Sequence, residues 1–155
     1  MLKHGGFTLV ELMITVAILA ILAMVAVPNF GPFVQGGRMD TVQNRLVGSL
    51  SQARSEAIRR GESVTVTFTL SDDEVTQWVS SDESGNEVRQ ESGPDASVSL
   101  TVTQSAVVFT QDGELATASN VCFVATDDDD DTDVRYVQIN AAGRIRSWDG
   151  APACG

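Results

Sequence analysis

Residues 7–27 read FTLVELMITVAILAILAMVAV, with Gly5-Gly6 directly before them. The stretch is 21 residues long and carries one charge, Glu11. At about 1.5 Å of rise per residue, roughly 20 helical residues cross the ~30 Å hydrocarbon layer of a bilayer. A soluble helix of this length shows a polar stripe, and this one has none. A cleaved secretory signal has a shorter apolar region ending in a small-residue site. Here the small residues near the end lead into Pro28. The reading is a membrane-spanning helix.

Glu11 is the anomaly in that helix. A carboxylate at the bilayer centre costs roughly 2.5–3.5 kcal/mol, so an intramembrane Glu usually has a function. The plainer alternative is that Glu11, one turn inside the helix, complements the positive end of the helix dipole. Both readings stay open on the residues alone.

Gly5-Gly6-Phe7-Thr8-Leu9-Val10-Glu11-Leu12 resembles the prepilin peptidase site of type IV pilins and type II secretion pseudopilins. The resemblance implies cleavage after Gly6 by the prepilin peptidase and N-methylation of the new terminus, Phe7. It also implies that Glu11 meets the charged N-terminus of a neighbouring subunit during assembly. Pairing two charges in lipid relieves both desolvation penalties together. Lys3 and His4 fit the short basic leader.

Pro28, Gly31, Pro32, Gly36 and Gly37 follow the apolar run. An interior Pro costs about 3 kcal/mol in a helix and a Gly about 1, so this stretch predicts a kink or a break. From Arg38 to Arg60 a helix resumes. Val42, Leu46, Leu50, Ala53 and Ala57 fall on one face, and Gly61 follows Arg59-Arg60 as a C-terminal stop. From Ser63 the pattern alternates with period two. Strands are expected over Ser63–Leu70, Val75–Val79, Glu87–Gln90, Val98–Val102, Val107–Phe109, Cys122–Ala125, Val134–Ile139 and Arg144–Trp148. The fold class is α+β and pilin-like, a long N-terminal helix packed on an antiparallel head. The organisation is a leader at 1–6, a transmembrane helix at 7–30, an amphipathic helix at 31–61 and a β-rich head at 62–155. The segment Leu46–Gly61 and the closing Gly143-Arg144-Ile145-Arg146 resemble the GspH/FimT subfamily, which comprises minor pilins and the pseudopilin of type II secretion.

Composition removes catalysis. The only His is His4 and the only Lys is Lys3, both ahead of Gly6. A processed chain then holds no imidazole base and no Schiff-base lysine. No phosphate-binding Gly loop is present. The chain reads as a structural subunit that is not an enzyme and needs no cofactor. Its expected partners are other pilins or pseudopilins, the prepilin peptidase and the inner membrane, with the head in the periplasm before it joins a pilus or pseudopilus. Cys122 and Cys154 are the only cysteines. In an exported head they are expected to pair, and closing a loop of about 30 residues stabilises by roughly 3–4 kcal/mol.

Two further features carry sharper hypotheses. Arg144 and Arg146, two apart on a strand, share a face. Some FimT-type pilins take up DNA through a Gly-Arg-x-Arg element, so the resemblance implies DNA as a candidate partner. Against it, residues 61–155 carry 18 acidic and four basic side chains, net −14, which favours pairing with carboxylates. The run Asp127–Asp131 with Asp133 offers oxygen ligands to calcium. It fails the EF-hand pattern at Thr132 and Gln138, and a solvated loop is the alternative.

Intact-mass analysis of the membrane form should show the loss of residues 1–6 and one added methyl group. A mature terminus after Ala23 or Ala26 would overturn the pilin reading.

Overall fold

The computed structural model describes residues 8–26, 30–94, 97–117, 119–127 and 133–150. The chain divides into two compact units, Met1–Gln35 and Gly36–Gly155.

In the first unit, helix α1 covers Leu9–Ala26. Its large apolar side chains from Leu9 to Met24 stand 52% to 77% exposed. No face is polar enough to prefer water. At 18 residues it is about 27 Å long. Among the described residues no helix is long and apolar enough to cross a membrane. The expected span of 7–30 also takes in Phe7 and residues 27–29, which lie outside the described residues.

Helix α2 covers Phe30–Arg60; of the expected kink or break, no break falls within these residues. Pro28 lies outside the described residues, but the helix continues through Gly31, Pro32, Gly36 and Gly37. Gly36 and Gly37 have open space where a Cβ would stand. They weaken the helix by about 1 kcal/mol each without ending it.

The head is organised by the next five turns of α2. Met39, Val42, Leu46, Leu50, Ala53 and Ala57 recur at helical spacing, and all are buried. Burying each of the larger side chains stabilises by about 1.5–3 kcal/mol. The helix stops where expected. Gly61 has φ +68° and donates its N–H to the Ala57 carbonyl at 3.0 Å, a left-handed cap that glycine enters without Cβ strain.

Eight strands follow: β1 (Val64–Ser71), β2 (Glu74–Ser81), β3 (Glu87–Ser92), β4 (Val98–Val102), β5 (Ala106–Phe109), β6 (Val121–Asp127), β7 (Val134–Ile139) and β8 (Ile145–Asp149). Each overlaps an expected strand. They form two four-stranded antiparallel sheets, ordered β3-β2-β1-β5 and β4-β6-β7-β8. The inward faces of both sheets and the α2 stripe make one core. Phe68 of the first sheet meets Phe123 of the second, with ring centroids 5.0 Å apart, and Trp78 lies 6.5 Å from Phe68. Arg45 of α2 closes one margin. Its guanidinium sits 5.6 Å from the centre of the Trp78 ring, pairs with Glu91 at 3.2 Å and donates to the Ser92 carbonyl at 2.6 Å. Arg89 first, then Arg45, hold the Glu91 carboxyl below its ordinary range. Arg135 of β7 closes the opposite margin, reaching Asp40, Asp133 and Asp149.

The β1–β2 turn carries avoidable strain. Its central residues, Asp72 and Asp73, have φ of 51° and 69°, and Ser71 pairs with Glu74 across it. A two-residue hairpin turn with both central φ values positive favours Gly at the second position. Asp73→Gly should therefore raise head stability by about 0.5–1 kcal/mol. Thermal unfolding of the detergent-solubilised chain reads this as a higher midpoint, and an unchanged or lower midpoint would contradict it.

Candidate functional site

The assembly end begins at Thr8. Its hydroxyl accepts the Glu11 N–H at 3.2 Å. In return, a Glu11 carboxylate oxygen accepts the Thr8 N–H at 3.3 Å and the Thr8 hydroxyl at 3.4 Å. This is a capping box, with Thr8 as N-cap and Glu11 three residues on. It satisfies backbone donors that a helix start leaves open. The dipole reading of Glu11 thus takes a more specific form, and the Thr8-x-x-Glu11 spacing that encodes it was present in the sequence. The carboxylate stays on an exposed helix end. Gly6 and Phe7 lie outside the described residues.

The second candidate lies on the β7–β8 hairpin. Asn140 accepts the Gly143 N–H at 2.8 Å and donates its own N–H to the Arg144 carbonyl at 3.1 Å. The Asn140 side chain accepts the Arg144 N–H at 2.9 Å. Gly143 has φ +71°, so the turn closes with a G1-type bulge. A Cβ on Gly143 would stand 1.9 Å from the Gly113 carbonyl oxygen. Arg54 of α2 locks this approach, donating to Gly113 at 2.8 Å and to the Ala142 carbonyl at 3.4 Å. The glycine of the Gly-Arg-x-Arg element is therefore structural. This contact between turn, loop and helix was invisible in the sequence, because residues 54, 113 and 143 are linked only by the strand order.

The two arginines are different. Arg144, directly before β8, and Arg146, on β8, are both exposed. Every other described arginine donates from its side chain: Arg38 to Ser97, Arg59 and Arg60 to Glu56, Arg89 to Gln52, and Arg45, Arg54 and Arg135 as given above. Among the described arginines, Arg144 and Arg146 alone have side chains without a hydrogen bond or ion pair. Arg144 lines a shallow groove of about 270 Å³ with Ser51, Arg54, Ser55, Ile58 and Ile145. On the outer side of the same sheet, Trp148 stacks on Tyr136 with centroids 5.6 Å apart.

Cys122 is buried on β6 and is not a free thiol. Its expected partner Cys154 lies outside the described residues. Of the acidic run, Asp128 to Asp131 also lie outside them, while Asp127 is buried and Asp133 pairs with Arg135. No group of three or more metal-ligating side chains gathers among the described residues.

A capped apolar helix carrying one carboxylate, followed by a helix laid on antiparallel sheets, defines a pilin-like subunit. The family model for "Type II transport protein GspH" matches residues 42–143, and that for the "Prokaryotic N-terminal methylation motif" matches residues 1–27. The chain belongs to the GspH family, and is accordingly a minor pilin or pseudopilin of type IV pili or type II secretion. Its fold is that of the type IV minor pilin FimU of Pseudomonas aeruginosa. One crystal form of that protein is 22% identical with a TM-score of 0.64, covering 78% of this chain and 93% of that one. A second form is 21% identical with a TM-score of 0.61, covering 70% and 91%. No curated protein sequence matches the chain.

The two halves of the Gly-Arg-x-Arg element should separate by substitution. Gly143→Ala should destabilise the head by about 2 kcal/mol or more. Arg144→Ala with Arg146→Ala should leave stability within about 0.5 kcal/mol. Chemical denaturation of the three proteins checks both. A stable Gly143→Ala, or a double variant as damaged as the glycine one, would reverse these roles.

Proposed function

We propose that this chain is a minor subunit of a type IV pilus, acting in the complex that starts or tips the filament, with the type II secretion pseudopilus as the alternative setting. The prepilin peptidase removes residues 1–6, Phe7 is methylated, and the helix from Phe7 to residue 30 holds the protein once across the inner membrane. The head then stands in the periplasm until assembly. A Cys122–Cys154 bond fastens the C-terminus to β6, and an intact mass two hydrogens lighter than the dithiol form reports it. The role is assembly with other pilins, without catalysis.

One observation carries the reading. Helix α1 exposes apolar side chains along its length and holds a single carboxylate at its start. Lipid, and later the packed helices of a filament, are surroundings in which such a surface is favourable. Glu11 then exchanges its own Thr8 N–H for the charged terminus of the next subunit, a stronger, charge-assisted contact. DNA binding through Arg144 and Arg146 is the weaker reading. Two phosphate contacts give little affinity against a head of net −14, and that little is salt-sensitive.

Glu11→Ala should deplete the protein from sheared filaments while its head melts at the wild-type temperature. Glu11→Gln, which keeps a cap acceptor but no charge, should behave like the alanine variant. Normal incorporation of Glu11→Gln would mean that Glu11 serves only as a cap.

A further inference from the structure

Strand β8 is the outer strand of its sheet, hydrogen-bonded only to β7 among the strands. Antiparallel pairs alternate between residues that exchange hydrogen bonds and residues that do not. Asn140 bonds to Arg144 at one end of the hairpin and Gly150 donates to Val134 at the other. That parity makes Gln138–Arg146 and Tyr136–Trp148 bonded pairs. The N–H and C=O groups of Ile145, Ser147 and Asp149 therefore point away from β7, off the edge of the sheet.

Edges of sheets are ordinarily blunted by charged side chains, by Pro or by bulges. The charge on this edge is opposite in sign to a head of net −14: it carries Arg146, with Arg144 just before it, and neither guanidinium has a partner among the described residues. Beside it runs the groove floored by Ile58 and Ile145, and Ile58 is left 51% exposed. The edge of β5 differs. It is already covered, because Ala116 donates to Val108 and Leu115 bridges Phe109.

We propose that the β8 edge accepts an extended acidic strand from a neighbouring pilin subunit, an interaction that rests on the assembly reading above. The incoming backbone pairs with Ile145, Ser147 and Asp149, and the main-chain bonds supply affinity, as in other strand additions. Because side chains alternate across a strand, one set of residues places carboxylates beside Arg146 and the other places apolar groups toward Ile145 and Ile58. Arg144 at the start of β8, and Asp149 already paired with Arg135 at its end, set the direction of charge along the edge.

The test uses the full chain in detergent and a fluorescein-labelled peptide of alternating Asp and Val, seven residues long by design. Wild type should bind it, and the amides of Ile145, Ser147 and Asp149 should gain protection from hydrogen exchange. Ser147→Pro removes an N–H that the β7 ladder does not use, which an edge strand tolerates. It should leave the melting temperature near wild type and weaken the peptide by about tenfold or more. Arg144→Ala with Arg146→Ala should weaken it by about tenfold. Absence of peptide binding overturns the proposal. So does binding untouched by Ser147→Pro, or a duplex DNA of similar charge that outcompetes the peptide. Should Ser147→Pro itself unfold the head, amide protection in the wild type alone decides. Sheared filaments keep the two readings apart. Wild-type protein present in filaments without peptide binding sinks only the docking proposal, whereas wild-type protein absent from filaments sinks the assembly reading.

Discussion

The head depends on one constraint, the apolar stripe of α2 that both sheets must cover. Leu46, Leu50, Ala53 and Ala57 are all buried in the core that the helix shares with both sheets. Beside that stripe the β7–β8 turn and the Gly113 loop approach so closely that a Cβ on Gly143 would collide with the Gly113 carbonyl. Arg54 of the same helix donates to the carbonyl of the buried Gly113, which the close approach would otherwise leave unpaired, and to that of the exposed Ala142. The helix stripe thus dictates the turn, and the turn dictates where β8 begins and where Arg144 and Arg146 emerge.

The periodic parts of this architecture were legible in the sequence. The stripe on α2, the stop at Gly61 and all eight strands follow from local spacing, because local sterics and burial write them into neighbouring residues. The division into two sheets was not legible. Strand order is decided by contacts far apart in the chain, such as Phe68 with Phe123. Of the expected kink or break, the absence of a break at Gly36 and Gly37 has a related reason. Propensity weighs each glycine alone, whereas α2 continues into a stripe whose burial outweighs two weak links.

The candidate site divides along the same line. Thr8-x-x-Glu11 is a local motif, so spacing alone encodes its cap, whereas the charge of Glu11 by itself points only to a dipole or a partner. The two arginines were visible as a pair, but not their lack of partners. Spacing cannot say which of the many carboxylates lies near. The structure gives acids to Arg45, Arg60, Arg89 and Arg135 and, among the described residues, leaves the hairpin pair unmatched.

Cap and edge follow one logic. On the proposed reading, a subunit that waits in a membrane satisfies its polar groups by itself, and gives some of them up when it joins a filament. Glu11 does the first through Thr8, with bonds of 3.3 and 3.4 Å, long enough that a charged partner at shorter range displaces them at small cost. At the β8 edge, the N–H and C=O groups of Ile145, Ser147 and Asp149 are the ones the β7 ladder leaves unused, and the proposed strand would take them up. In both places the bonds holding the monomer are the weak ones on the surface, while the core bonds of α2 and the two sheets are left undisturbed. Assembly by these two contacts would then leave every part of the head folded.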